Sequence, residues 1–231
     1  MRVWLLGIAA CLMMANQGWV RAAEGPELEL PRPGAILVLD LIGDAVAIAG
    51  EQRRPLKVDE RVRVGSTIVT ERMSLVTLIL SNGATLRIGS ESEVELEEFG
   101  QATIPGSPKF AELKEEPTVS RTRLRLERGD VRVELKPLNA ARGSSFTLNM
   151  LAGTLRSTEG IFHARLRLSD LGLGVCTLEL ERGQADFEPH EGKYSPLPVG
   201  RPISFAIEMD RITGLPKVSE MPAQVAPRKK D

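Results

Sequence analysis

The side chains best able to do chemistry are few: two histidines, two cysteines and an acidic run at 93–98. His163 sits in Ile161-Phe162-His163-Ala164-Arg165, which reads as a strand, with no second histidine or cysteine at ligand spacing. His190 lies in the loop Glu188-Pro189-His190-Glu191-Gly192. His190 and Glu191 offer two metal donors where zinc takes three or four. Cys176 falls in the alternation Val175-Cys176-Thr177-Leu178 and reads as a small buried core residue rather than an activated thiol. Glu93, Glu95 and Glu97 alternate with Val94 and Leu96, and Glu98 follows. That spacing puts the carboxylates on the wet face of a strand. A sheet can bring two carboxylates together for glycoside hydrolysis, but two Trp and one Tyr leave little to stack on a sugar. No Gly-x-Ser-x-Gly elbow occurs, and Gly192-Lys193 lacks the rest of a phosphate loop. The expectation is a non-enzyme with no catalytic residues, no cofactor site and no metal site.

The frame that must hold these residues begins with an export signal. Arg2 precedes the apolar stretch 3–15, and Val20-Arg21-Ala22 supplies small residues at the −3 and −1 positions. This is the layout of a secretory signal peptide over 1–22, cleaved after Ala22. Its apolar part is too short to cross ~30 Å of hydrocarbon comfortably, so no transmembrane helix is expected after cleavage. Ile8-Ala9-Ala10-Cys11 resembles a lipobox with Cys11 as the lipidated residue, the less favoured alternative. The mature chain would hold one cysteine and no internal disulfide, and its place would be periplasmic or secreted. Net charge is −1, so no basic field draws nucleic acid to it.

Residues 23–33 are proline-rich and read as an extended lead-in. From residue 34 strand follows strand. A turn at Gly43-Asp44 between apolar runs reads as a hairpin, and Gly50 ends the second run. Asn82-Gly83 between 75–80 and 84–88 supplies the positive φ angles of a tight hairpin. Residues 100–120, with Pro105, Gly106, Pro108 and Pro117, read as an irregular loop with one helical turn. Leu124-Arg125-Leu126-Glu127-Arg128-Gly129-Asp130-Val131 and Leu178-Glu179-Leu180-Glu181-Arg182-Gly183-Gln184-Ala185 are near copies. Each reads as a hairpin turning at its glycine. Ile203 to Met209 reads as the last strand, and 214–231 as a disordered tail. The pattern predicts an all-β domain over 34–213, many short antiparallel strands in a sandwich, roll or short solenoid.

The order of these motifs resembles the FecR domain family. Gly65-Ser66-Thr67-Ile68-Val69-Thr70, Asn82-Gly83-Ala84 and Gly89-Ser90-Glu91-Ser92 stand where that family has its Gly-x-x-Ile-x-Thr segment, its Asn-Gly turn and its Ser-Ser strand. Leu126-Glu127-Arg128-Gly129-Asp130-Val131, residues 146–162, 175–185 and Val199-Gly200 resemble later elements, so the resemblance covers 34–205. Where the family has Arg-Gly-Thr-x-Phe, this chain has Ser157-Thr158-Glu159-Gly160-Ile161-Phe162. The resemblance implies a periplasmic β domain that meets protein partners. Members that sense siderophore uptake contact a transporter's signalling domain and hold a sigma factor through a cytoplasmic module. Here the apolar run begins at Val3, so that module and a conventional anti-sigma role are not expected. The leading expectation is a non-catalytic periplasmic protein with an envelope protein as partner, in signalling or scaffolding. An envelope polysaccharide- or ligand-binding module is the alternative, its small-molecule ligand unidentified, and a hydrolase comes last.

Overall fold

The computed structural model describes residues 34–106, 108–190, 193–210 and 213–222. The signal peptide, Cys11 and the lead-in lie outside them. Fifteen strands run in chain order: β1 Ile36–Ile42, β2 Ala45–Ala49, β3 Gln52–Pro55, β4 Arg61–Val62, β5 Thr67–Thr70, β6 Leu75–Leu80, β7 Thr85–Ile88 and β8 Glu93–Gln101. Then come β9 Ser120–Leu135, β10 Ser145–Met150, β11 Gly153–Leu168, β12 Leu173–Pro189, β13 Ser195–Pro196, β14 Ile203–Met209 and β15 Pro216–Glu220. All join one sheet, antiparallel except where β10 runs parallel to β9. The fold is all-β.

Three long strands, β9, β11 and β12, fold this sheet onto itself. The first part of β9 pairs with β8 and β10, the second with β7 and β11. β11 leaves β10 for β9, and β12 leaves β14 for β13, in the same way. One layer therefore reads β3-β2-β5-β8-β9-β10-β11-β12-β13, and the other β4-β1-β6-β7-β9-β11-β12-β14-β15. Side-chain contacts between the strands close the core. Phe187 of β12 meets Phe205 of β14 with ring centroids 4.7 Å apart, and Cys176 Sγ lies 3.9 Å from Met150 Sδ. Phe146 and Phe162 pack edge to face at 5.6 Å, and aliphatic side chains fill the rest, with Ile68, Leu78, Leu86, Val94, Leu126, Val133 and Leu148 fully buried. With so few aromatics, burial of Val, Leu and Ile at ~1.5–3 kcal/mol each is what drives the fold.

The repeated Arg-Gly segments are not hairpin turns, as the sequence led us to expect. Gly129 (φ 90°) and Gly183 (φ 93°) lie inside continuous strands, where β9 and β12 change partners. Positive φ inserts a bulge that bends the strand instead of ending it. Gly160 (φ 124°) does the same in β11 and stands opposite Gly183. Gly43-Asp44 is a turn, but β1 and β2 do not pair: the chain passes there from one layer to the other. Asn82-Gly83 is the expected hairpin, with Gly83 at φ 89°.

One further expectation changes, and the irregular loop is held more firmly than its composition suggests. The stretch from 214 contains β15, which pairs with β14 and packs Val218 against the core, while 223–231 of the expected tail lie outside the described residues. Pro216 is buried as well, so two apolar residues and a strand edge order this segment. The 102–119 loop has its one helical turn, a 3-10 turn at Phe110–Glu112, and it is fastened. Glu116 is buried; its carboxylate accepts from Ser120 Oγ (2.8 Å), the Asn139 N–H (2.7 Å) and the Ser144 hydroxyl. Ser120 Oγ in turn accepts from Asn82 Nδ2 (3.0 Å), tying the loop to the β6–β7 hairpin. A buried carboxylate needs such saturation to remain in place.

Candidate functional site

Turns from distant parts of the sequence meet at one end of the folded sheet. Ser92 is fully buried at its centre. Its Oγ accepts from the Asp130 N–H (2.8 Å) and lies 3.2 Å from the Asp130 and Ser90 carbonyls. Its N–H donates to Thr70 Oγ1 (2.9 Å), whose hydroxyl donates to the Gly89 carbonyl. Ser90 Oγ accepts from the Met73 N–H (2.8 Å), and Ser74 Oγ accepts from the Asp44 N–H (3.0 Å). A Cβ on Gly89 would stand 2.1 Å from Asp130 Oδ1, and one on Gly129 would stand 2.2 Å from Ser92 Oγ. The glycines and serines of Gly89-Ser90-Glu91-Ser92 and Arg128-Gly129-Asp130 are thus the parts of one tight joint.

This joint floors a groove. A depression of about 620 Å³ has Arg53, Arg72, Glu91, Arg128 and Arg167 around Thr70 and Gly129. A neighbouring one of about 460 Å³ adds Glu95, Glu127 and Asp170, and the two share Glu93, Arg128 and Leu168. Most of the charge is matched: Arg128 pairs with Glu93 (3.3 Å), Arg53 with Glu71 (3.6 Å) and Arg167 with Asp130 (3.7 Å). Apolar side chains stand exposed around it. Met73 is 88% exposed, and its backbone holds φ 57°, a left-handed conformation costly for a side chain of its kind. Leu168, Leu171, Leu173 and Val175 are exposed on the hairpin joining β11 to β12, Leu171 at 73%. A tight floor, matched charge and exposed apolar side chains thus meet at this end of the sheet.

Of the residues singled out from sequence, Glu93 and Glu95 line the groove, and the others fall elsewhere or serve structure. His163 Nε2 lies 3.6 Å from Asp130 Oδ1 on the outer face. Hydrogen bonding from His163, reinforced by the charges of His163, Arg165 and Arg167, holds the Asp130 carboxyl below the usual range. His190 is an exposed turn residue after β12, apart from His163. Cys176 is fully buried, and desolvation pushes its thiol up to about 12. The carboxylates of the acidic strand are half-buried and matched by arginines of β9: Arg125 Nε donates to Glu97 Oε1 (2.6 Å), and Arg123 pairs with Glu98 (3.1 Å). Arg132 and Glu181 form a two-pronged pair at 2.7 and 2.8 Å, raising the arginine's pKa and lowering the glutamate's. Among the described residues no cluster of three metal-ligating side chains forms, and no helix is long and apolar enough to cross a membrane.

The sequence reading missed the rim. The Leu171 and Leu173 signal was visible, two leucines inside the turn Asp170-Leu171-Gly172-Leu173-Gly174, where polar residues are the rule. Met73 had no such signal, because positive φ at a non-glycine residue leaves no mark on sequence.

No protein-family model matches this chain, and no curated protein matches it. Two crystal structures of a candidate anti-sigma factor from Parabacteroides distasonis ATCC 8503, at 2.50 Å and 1.65 Å resolution, are similar to it at TM-score 0.44 and 11% identity. Each match covers 68% of this chain and 61% of the other, so this chain spans about three-fifths of their length.

Proposed function

We propose that this protein is a non-catalytic, FecR-like docking module of the bacterial envelope, exported to the periplasm or beyond, where it engages a protein partner in signalling or scaffolding. One observation carries the reading: Met73 keeps a long apolar side chain almost wholly in solvent on a strained backbone, at the edge of a rigid groove. The fold itself would be better served there by glycine, and strain retained at an exposed position points to an outside contact. The exposed leucines of the β11–β12 hairpin extend the same rim. Arginines around the groove suit it further, since Arg is enriched at protein interfaces. The motifs that resemble the FecR family, at 65–70, 89–92 and 126–131, are those that build the joint beneath it.

The test is site-specific photo-crosslinking in the native envelope. A crosslinker at Met73 or Leu171 should capture one protein, and the same probe at Ser195, an exposed residue of β13, should not. Equal yields at all three positions, or no protein captured at the rim, would end the docking proposal.

A further inference from the structure

A separate depression of about 460 Å³ lies over β10, β11 and the C-terminal part of β12. Cross-strand register aligns Thr147 with Arg156, and Arg156 with Asp186. Ser145, Thr158 and Gln184 line it beside them. The register shift between Ser157 and Glu159 places a bulge here, which bends β11 and makes the face concave.

Elsewhere on this layer opposed charges pair, as Arg123–Glu98 and Arg128–Glu93 do. Arg156 and Asp186 stand directly opposite and form no ion pair. The Arg156 guanidinium lies instead over the Tyr194 ring, 4.4 Å from its centroid, an attraction strong enough to compete with an exposed salt bridge. Tyr194 therefore draws Arg156 off, and the Asp186 carboxylate is left open. Among the described residues, the side chains of Ser145, Thr147, Thr158 and Gln184 are likewise without a hydrogen-bond partner.

We infer that this depression binds a neutral carbohydrate. One carboxylate and one guanidinium cancel, so neither an anion nor a cation is favoured. A sugar hydroxyl donates and accepts, which matches a mixed set of carboxylate, guanidinium, amide and hydroxyl groups. Vicinal hydroxyls donate to both oxygens of Asp186 and accept from Arg156 and Gln184. With Arg156 on the face of Tyr194, recognition rests on these planar polar groups and not on ring stacking. The site is distinct from the groove around Met73, so either assignment can fail without the other.

Maltotetraose, cellotetraose and chitotetraose are the probes, titrated into the isotopically labelled protein while amide shifts are followed. At least one should give saturable shifts at 145–147, 156–158 and 184–186. Asp186→Ala should weaken that binding about tenfold or more, the loss of hydrogen bonds to a charged group. Tyr194 does not line the depression, and Tyr194→Leu, by releasing Arg156 to pair with Asp186, should also weaken binding. The unshifted remainder of the spectrum reports that each variant is folded. No saturable shift with any of the three, or binding unchanged in Asp186→Ala, overturns the inference.

Discussion

Replacing Gly183 by alanine tests whether the long strands bend because glycines meet there. Gly183 holds φ 93°, and a Cβ would stand 2.4 Å from the Gly160 Cα and 2.5 Å from the Glu159 carbonyl oxygen. The left-handed backbone alone costs a side chain ~1–2 kcal/mol. Overlap with backbone atoms of a paired strand cannot be relieved by a rotamer change, and forced overpacking adds ~1–3 kcal/mol. The expected loss is therefore about 2–5 kcal/mol, a large part of the ~5–15 kcal/mol that holds a domain together. For a chain of this size it lowers Tm by roughly 4–20 °C. Gly200 is the control: its φ is 69°, but nothing lies within 4 Å of where a Cβ would go. Gly200→Ala should lose only the backbone share, ~1–2 kcal/mol. Urea unfolding of both variants, followed by circular dichroism, separates the two costs. If Gly183→Ala loses no more than Gly200→Ala, the close approach of β11 and β12 does not constrain the fold and the bend needs another cause.

The same reasoning gives three further expectations. Met73→Gly should raise stability by ~1 kcal/mol in urea unfolding, because it relieves a left-handed backbone and buries nothing less, while lowering crosslinking to the partner. Asp130 has a folded pKa below its unfolded one, so its contribution is present above the unfolded value of ~3.9 and is lost as pH falls through the folded value. Wild type should accordingly exceed Asp130→Asn in stability at neutral pH and converge with it in acid, with a constant gap counting against the His163–Asp130 interaction. Cys176, its thiol pushed up to about 12 and fully buried, should react with a thiol reagent at mildly alkaline pH only at the rate of unfolding. Fast labelling of Cys176 itself in the native protein would contradict that burial.

Local signals made the fold class legible. Alternation placed Val94 and Leu96 in the core and the glutamates outside, and Asn82-Gly83 turned where its backbone preference demands. What stayed hidden was which strands are one strand. Arg128-Gly129 and Arg182-Gly183 carry the same local signal as a turn, because a positive φ is common to tight turns and to bulges. Only the neighbours decide: β8 and β10 hold one side of Gly129, β7 and β11 the other. Pairing partners far along the chain are not written in a window of eight residues. The same holds for Asp186 and Arg156, thirty residues apart, whose failure to pair depends on Tyr194.

The two proposed surfaces follow from how the long strands divide the molecule. Where β9 bends at Gly129, the turns of both layers are drawn together and locked by Ser92, so that end is stiff and its apolar residues are left outside. Where β11 bends beside Gly160, the bulge opens the outer face of one layer and spreads side chains that would otherwise pair. A bend in a sheet thus compresses one face and dilates another. Compression suits a preorganised protein contact, which gains by having no motion to lose. Dilation suits a small polar ligand, which needs donors and acceptors left free by the fold. The glycines that permit both bends are fixed by backbone geometry, while the residues beside them, Met73 and Leu171 at one bend and Arg156 and Asp186 at the other, are free to set what is bound.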